Sequence, residues 1–152
     1  MISVERPPEP KSQADDKRDS ETERYVMNQF LLTNSRTGGV VATRARLADN
    51  PWLRVVGLLG KKGLPPGEGL LIRPCWSIHT AFMRFALDVV FLSREGDVIK
   101  VAPRLPAFRM AAARGAHEVL EMAAGALDGV DLQPGDHLLA TPVQAAAVAA
   151  AP

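Results

Sequence analysis

The sequence predicts a mainly β fold: a compact, single-domain β-sandwich or barrel-like structure with one or two short helices. Three observations carry this. Short apolar runs recur along the chain with Gly- and Pro-containing turns between them. One pair of runs, "LDVVFLSREGDVIKVAP", reads as a β-hairpin. Helix start and stop signals are clear in only one segment, "DNPWLRVVGLLGKKG". Many short strands with few helices point to a sandwich or barrel, and the low aromatic content of 5% does not outweigh that pattern.

In chain order, residues 1–24 hold seven acidic and five basic side chains, with Pro7, Pro8 and Pro10, and almost nothing to bury. They predict a disordered polar tail. The folded domain is expected over 25–141, and 142–152 as an Ala-rich flexible tail. "NQFLLTN" and "GVVAT" read as two strands joined by a Gly-Gly turn. Asn50 is a suitable N-cap, Pro51 a first helical residue and Gly60 a stop, with Trp52, Val55, Val56 and Leu59 forming an apolar stripe. "GLLIRP" follows as a short buried strand. In the hairpin, Leu87, Val89 and Phe91 share one face, Val98 and Val101 belong to the returning strand, and "SREGD" supplies the turn. "HEVLEMAAG" sets Val119 and Glu121 against Leu120 and Met122, a strand pattern. "AGALDGVDLQPGD" is expected to make a short helical turn, and "HLLA" the last strand.

Length and composition limit the function. The chain of 152 residues suffices for one domain with a core. A formal net charge of +1 provides no strong field toward nucleic acid or an anionic membrane, so neither is expected as a partner. The single cysteine, Cys75, leaves no internal disulfide and no multi-cysteine metal site. No apolar run approaches the roughly 20 residues that span a bilayer, and the N-terminus lacks the apolar core of a secretory signal. A soluble, cytoplasmic protein is expected.

Three segments taken together resemble one family: "WLRVVGLLGKKGLPPGEGLLI", "SIHTAFMRFALDVVFLSREGDVIKV" and "HEVLEMAAGALDGVDLQPGDHL". The matching positions are Arg54, Gly57 and Leu58; His79, Thr80, Phe82 and Met83 leading into Leu87–Leu92; and Leu120, Glu121 and Gly125, then Gly135 and Asp136. The ordered set resembles the domain of unknown function (DUF) 192 family, over about residues 47–140. It departs from the commonest form where many members have Trp-Met-Lys-Asn-Thr and this chain has His-Thr-Ala-Phe-Met-Arg, and where Ala86 replaces a proline. The resemblance implies a small, mainly β domain with a sandwich-like core, and no assigned reaction.

The chemistry-bearing residues are polar groups set inside apolar segments, where burial is costly unless they are paired. His79 reads either as a general base or ligand donor, or as a histidine bonded to backbone at a strand end. Asp88 interrupts the run from Phe85 to Leu92 and needs a cation or several N–H donors. Arg54 and Arg84 are the expected partners, which makes Asp88 structural. Glu121, flanked by Leu120 and Met122, raises the same question. Arg54 with Lys61 and Lys62 offers an anion-binding edge or a merely solvated face. Cys75 is expected to be a small buried hydrophobe rather than a nucleophile. The spacing of Cys75, His79, His117 and His137 matches no compact ligand motif, so no metal or other cofactor is expected.

His79 and Thr80 precede the hairpin, where a loop would present them to solvent. With Arg54, Arg84 and Glu121 they form the candidate binding set. The leading expectation is a binding or accessory module for a small ligand or a protein. The alternative is a small hydrolase-like enzyme using His79 and Asp88 with an arginine clamp. A third is a purely structural polar network.

Overall fold

The computed structural model describes residues 28–49 and 62–143. They contain nine strands: β1 (Gln29–Asn34), β2 (Val40–Ala48), β3 (Glu68–Ile72), β4 (Ser77–His79), β5 (Leu87–Leu92), β6 (Val98–Leu105), β7 (Met110–Ala112), β8 (Glu118–Ala123) and β9 (Leu138–Pro142). Seven form one sheet in the order β6-β5-β8-β3-β2-β1-β9, and β4 pairs with β7 in a separate ribbon. All pairings are antiparallel except β2 with β3.

The large sheet curls into a half-barrel, because its two outermost strands meet at one end. Asp97 and His137 form an isolated antiparallel bridge there. The Leu138 amide donates to the Gly96 carbonyl at 2.9 Å, and the Val98 amide to the Asp136 carbonyl at 2.7 Å. Gly96 sits at this seam with φ +95°, and a Cβ on it would lie 2.9 Å from the Leu138 carbonyl oxygen. Only glycine satisfies both demands.

The middle of the sheet, β3, β8 and β5, is buried on both faces. Leu32, Leu47, Leu71, Val90, Leu92 and Leu120 pack inside the curl. Leu70, Ile72, Leu87, Val89, Phe91 and Val119 line the outside, where Ile78 and Ala111 of the ribbon and Met83 cover them. A sheet covered on both sides needs no polar alternation. All six residues of β5 are accordingly buried.

The expected strands are present, with four differences. β2 extends to Ala48, well past "GVVAT", because its far half pairs in parallel with β3. β4 and β7 were not expected as a pair: each is three residues long, and long-range pairing rather than a local pattern defines them. The described residues contain no helix. The segment 124–130, expected to be helical, is a series of turns. Gly125 and Gly129 take φ +89° and +74° there, which a continuing helix does not accommodate. β9 runs to Pro142, and the Val143 amide donates to the Gln29 carbonyl, just past the expected domain edge. The expected 1–24 tail, the 50–60 helix with Arg54, and the chain beyond 143 lie outside the described residues.

Candidate functional site

Asp88 is fully buried, and its partners are not those expected. Its Oδ1 accepts from the Arg104 amide at 2.8 Å, and its Oδ2 from the amides of Gly125 and Leu127 at 3.1 and 2.8 Å. Among the described residues, backbone N–H groups take the place assigned to an arginine side chain, and Arg84 is instead exposed. In register, Asp88 lies opposite Met122, on the inward side of the sheet. Ala126, Leu127 and Val130 close that end of the core. The carboxylate therefore fastens the 124–130 turns and the end of β6 to the barrel. It forms no hydrogen bond with His79, so the acid–base pair of the hydrolase-like alternative is not assembled.

Thr80 also departs from expectation. It is fully buried rather than presented to solvent. Its hydroxyl donates to the Pro106 carbonyl at 2.6 Å and accepts from the Arg109 amide at 2.9 Å. Its amide donates to the Arg109 carbonyl, and its carbonyl accepts from the amides of Phe108 and Met83. One side chain thus ties the loop after β4 to the loop before β7. The preceding β4 alternates as an extended segment should, with Ile78 inward and His79 exposed. His79 stands opposite Met110 in the ribbon's register.

The two loops joined by Thr80 carry residues outside the expected binding set. Phe82 and Phe108 adopt φ of 63° and 58°. Left-handed backbone costs a residue with a Cβ roughly 1–2 kcal/mol. Both rings are nevertheless exposed, 78% and 64%, and meet edge to face with centroids 6.0 Å apart. Met110, two residues after Phe108, is 80% exposed. Apolar residues default to the core in a sequence reading. The one available signal was compositional: residues 98–117 contain no acidic side chain.

Glu121 occupies the centre of the sheet's outer face. It pairs in register with Leu70 on β3 and Val89 on β5, both of the outer apolar cluster. The residue is buried at 7% exposure, and its carboxyl shares no hydrogen bond or ion pair with another described residue, although its oxygens are not among the fully enclosed polar atoms without a partner. Burial pushes this carboxyl up to about 7. Of the expected set, Glu121 and the ribbon bearing His79 lie on the same side of the sheet. Thr80 lies beneath the loops, and Arg84 is exposed two residues after Phe82.

Two further polar groupings lie elsewhere. A pocket of about 250 Å³ opens at the barrel end away from Asp88, with Leu71, Leu92 and Leu138 in its wall and Arg73, Glu118 and His137 among its polar residues. Arg73 Nε lies 2.7 Å from Glu118 Oε1 without hydrogen-bonding alignment, a charge contact only. None of the expected binding set lines this pocket. The second is a network around Asp136, which accepts from Asn34 at 2.8 Å and from Arg36 Nε at 2.6 Å. Those hydrogen bonds from Arg36 hold the Asp136 carboxyl well below the usual range. This network locks the β1 turn to the entry of β9, and its Gly135–Asp136 motif is structural.

A family profile described as uncharacterised ACR, DUF192, matches residues 32–140. A UPF0127 protein of Pyrococcus furiosus is 28% identical over 112 residues, covering 70% of this chain and 95% of that protein. Among solved structures, a putative transcription regulator from Sinorhizobium meliloti superposes with TM-score 0.65 at 20% identity, over 76% of this chain and 94% of its own. A protein of unknown function from Novosphingobium aromaticivorans gives TM-score 0.63 at 21% identity, over 73% and 83%. Identities this low establish a shared fold.

Proposed function

The chain belongs to the DUF192 family of uncharacterised proteins, and on that premise we propose that it is a binding module, not a catalyst, whose small ligand is received at Glu121. The observation that carries this reading is a carboxyl buried between Leu70 and Val89 with no donor among the described residues. Buried polar groups in folded proteins nearly always find partners. One left without a partner lowers stability, and such costs persist where a ligand supplies what the fold withholds. The complement of this carboxyl is a group that donates hydrogen bonds or carries positive charge, such as an ammonium or a guanidinium. The hydrolase-like alternative has lost its motivating geometry, since the Asp88 carboxylate is occupied by three amides.

The test uses the full chain with ¹³C-labelled glutamate and three probes: ethylammonium, ethanolamine and guanidinium. Glu121 is expected to titrate near 7 without a probe. A cation that reaches the carboxyl stabilises its charged form and draws this titration to lower pH. The Glu121→Gln variant should show no saturable probe binding. If all three probes leave the Glu121 titration unmoved, the reading is wrong.

A further inference from the structure

The rim formed by Phe82, Phe108, Met110 and His79 is separate from the carboxyl of Glu121 and has its own logic. Four features converge on it. First, two phenylalanines occupy left-handed backbone and remain exposed, so neither gains core packing in return for the strain. Second, the geometry is fixed. The buried Thr80 bonds to Pro106, Phe108 and Arg109 on the opposite loop, and the two rings brace each other. Third, the ribbon's register places His79 directly opposite Met110, extending the same exposed surface. Fourth, charge is segregated. Residues 69–87 and 98–117, which carry both loops and the ribbon, hold six Lys or Arg and no Asp or Glu; Arg73 and Arg104 pair with Glu118 and Asp128 outside these segments, which leaves Arg84, Lys100, Arg109 and Arg114. Arg84 and Arg109, both exposed, flank the aromatic pair in sequence.

We infer that this rim is a preformed docking surface for a protein partner whose contacting segment combines aromatic or aliphatic side chains with Asp and Glu. Phe, Trp, Met and Arg are the residues enriched at the centres of protein interfaces, and Asp and Glu are depleted there. Rigid anchors lose little entropy on binding, which is the effect of holding both loops through Thr80. Complementary charge then sets the partner's chemistry, because no acidic residue within these two segments competes for Arg84 and Arg109. A nucleic acid is a poorer fit. The rings meet edge to face with each other, and Met110 offers no flat face for a base. A membrane is a poorer fit because only two exposed cations, Arg84 and Arg109, adjoin the rings, fewer than the roughly four to eight of a basic cluster that binds anionic lipid.

The experiment is selection of displayed random 16-residue peptides on the full chain at 50 mM salt. Two variants check the hits: Phe82→Asn with Phe108→Asn, and Arg84→Glu with Arg109→Glu. Asparagine tolerates left-handed backbone, so the first variant removes the rings without adding strain. Its melting temperature should equal or exceed that of the parent. The expected result is enrichment of peptides in which Asp or Glu flank Phe, Trp or Leu. Their affinity should fall at least tenfold in either variant, and again at 500 mM salt. The inference is overturned by any of four results: no enriched peptide; peptides without acidic residues; binding that survives the asparagine pair; or failed selection while phosphatidylserine vesicles or single-stranded DNA bind in a Phe82-dependent way. Retained binding in Glu121→Gln separates this surface from the small-ligand reading.

Discussion

Replacing Glu121 by glutamine gives the most quantitative check on the carboxyl at the centre of the outer face. The substitution keeps the shape and removes the titration. In the folded chain this carboxyl is raised from 4.5 to about 7 by burial. Between those values the folded state holds a proton that the unfolded state has released. Stability therefore falls as pH rises from 4.5 to 7, and is level on either side as far as this group is concerned. At 1.36 kcal/mol per pH unit, the charged form costs the folded state about 3 kcal/mol above pH 7. Glutamine carries no such penalty. At pH 4.5 the two proteins should differ little, and at pH 8 the variant should be the more stable by up to about 3 kcal/mol. For a domain of this size that corresponds to roughly 10 °C in melting temperature. Urea unfolding at pH 4.5, 5.5, 6.5 and 8, followed by circular dichroism, measures the difference directly. A constant difference across that range, or a variant less stable at pH 8, would refute the claim that the carboxyl is buried without a partner among the described residues.

Two other substitutions separate scaffold from surface. Asp88→Ala strands the amides of Arg104, Gly125 and Leu127 in the interior and should cost on the order of 3–5 kcal/mol. Asp88→Asn should recover only part of that, since an amide NH₂ cannot accept from a backbone N–H. Both are read from urea midpoints, and a loss below about 1 kcal/mol for Asp88→Ala would show the turns to be held otherwise. His79→Ala, at an exposed position, should change stability by no more than about 0.5 kcal/mol. A larger loss in thermal melts would make this histidine part of the fold.

Much of the architecture was legible because apolar runs leave a direct trace in sequence. The hairpin of β5 and β6, and strands β1, β3, β8 and β9, each coincide with such a run. The ribbon was not legible: β4 and β7 are three residues each, and only their pairing across the chain makes them strands. Asp88 was recognisable as structural from its apolar neighbours, but its partners were not. Backbone amides have no letter in the sequence, so side-chain reasoning turns to arginine. For Thr80, alternation along an extended segment puts it on the same side as Ile78, and its hydrogen bonds to Pro106 and Arg109 follow that alternation rather than the solvent-facing loop expected from its place before the hairpin. The exposure of Phe82 and Phe108 depends on two left-handed residues 26 positions apart, a backbone property that composition does not carry.

Asp88, Thr80 and Glu121 pose the same problem in sequence and reach different ends in the structure. Each is polar, flanked by apolar neighbours and buried. Asp88 receives three amides, and Thr80 exchanges bonds with the backbone of the opposite loop. Their burial is thereby offset, and each fixes loops in place. Glu121 is nearly as buried, without such bonds from the described residues, in a sheet whose β3, β8 and β5 backbones are committed to one another. Burial alone therefore does not distinguish a scaffold residue from a reactive one. The distinction lies in whether the fold supplies the missing donors, and at Glu121 the described fold leaves them to be supplied from outside.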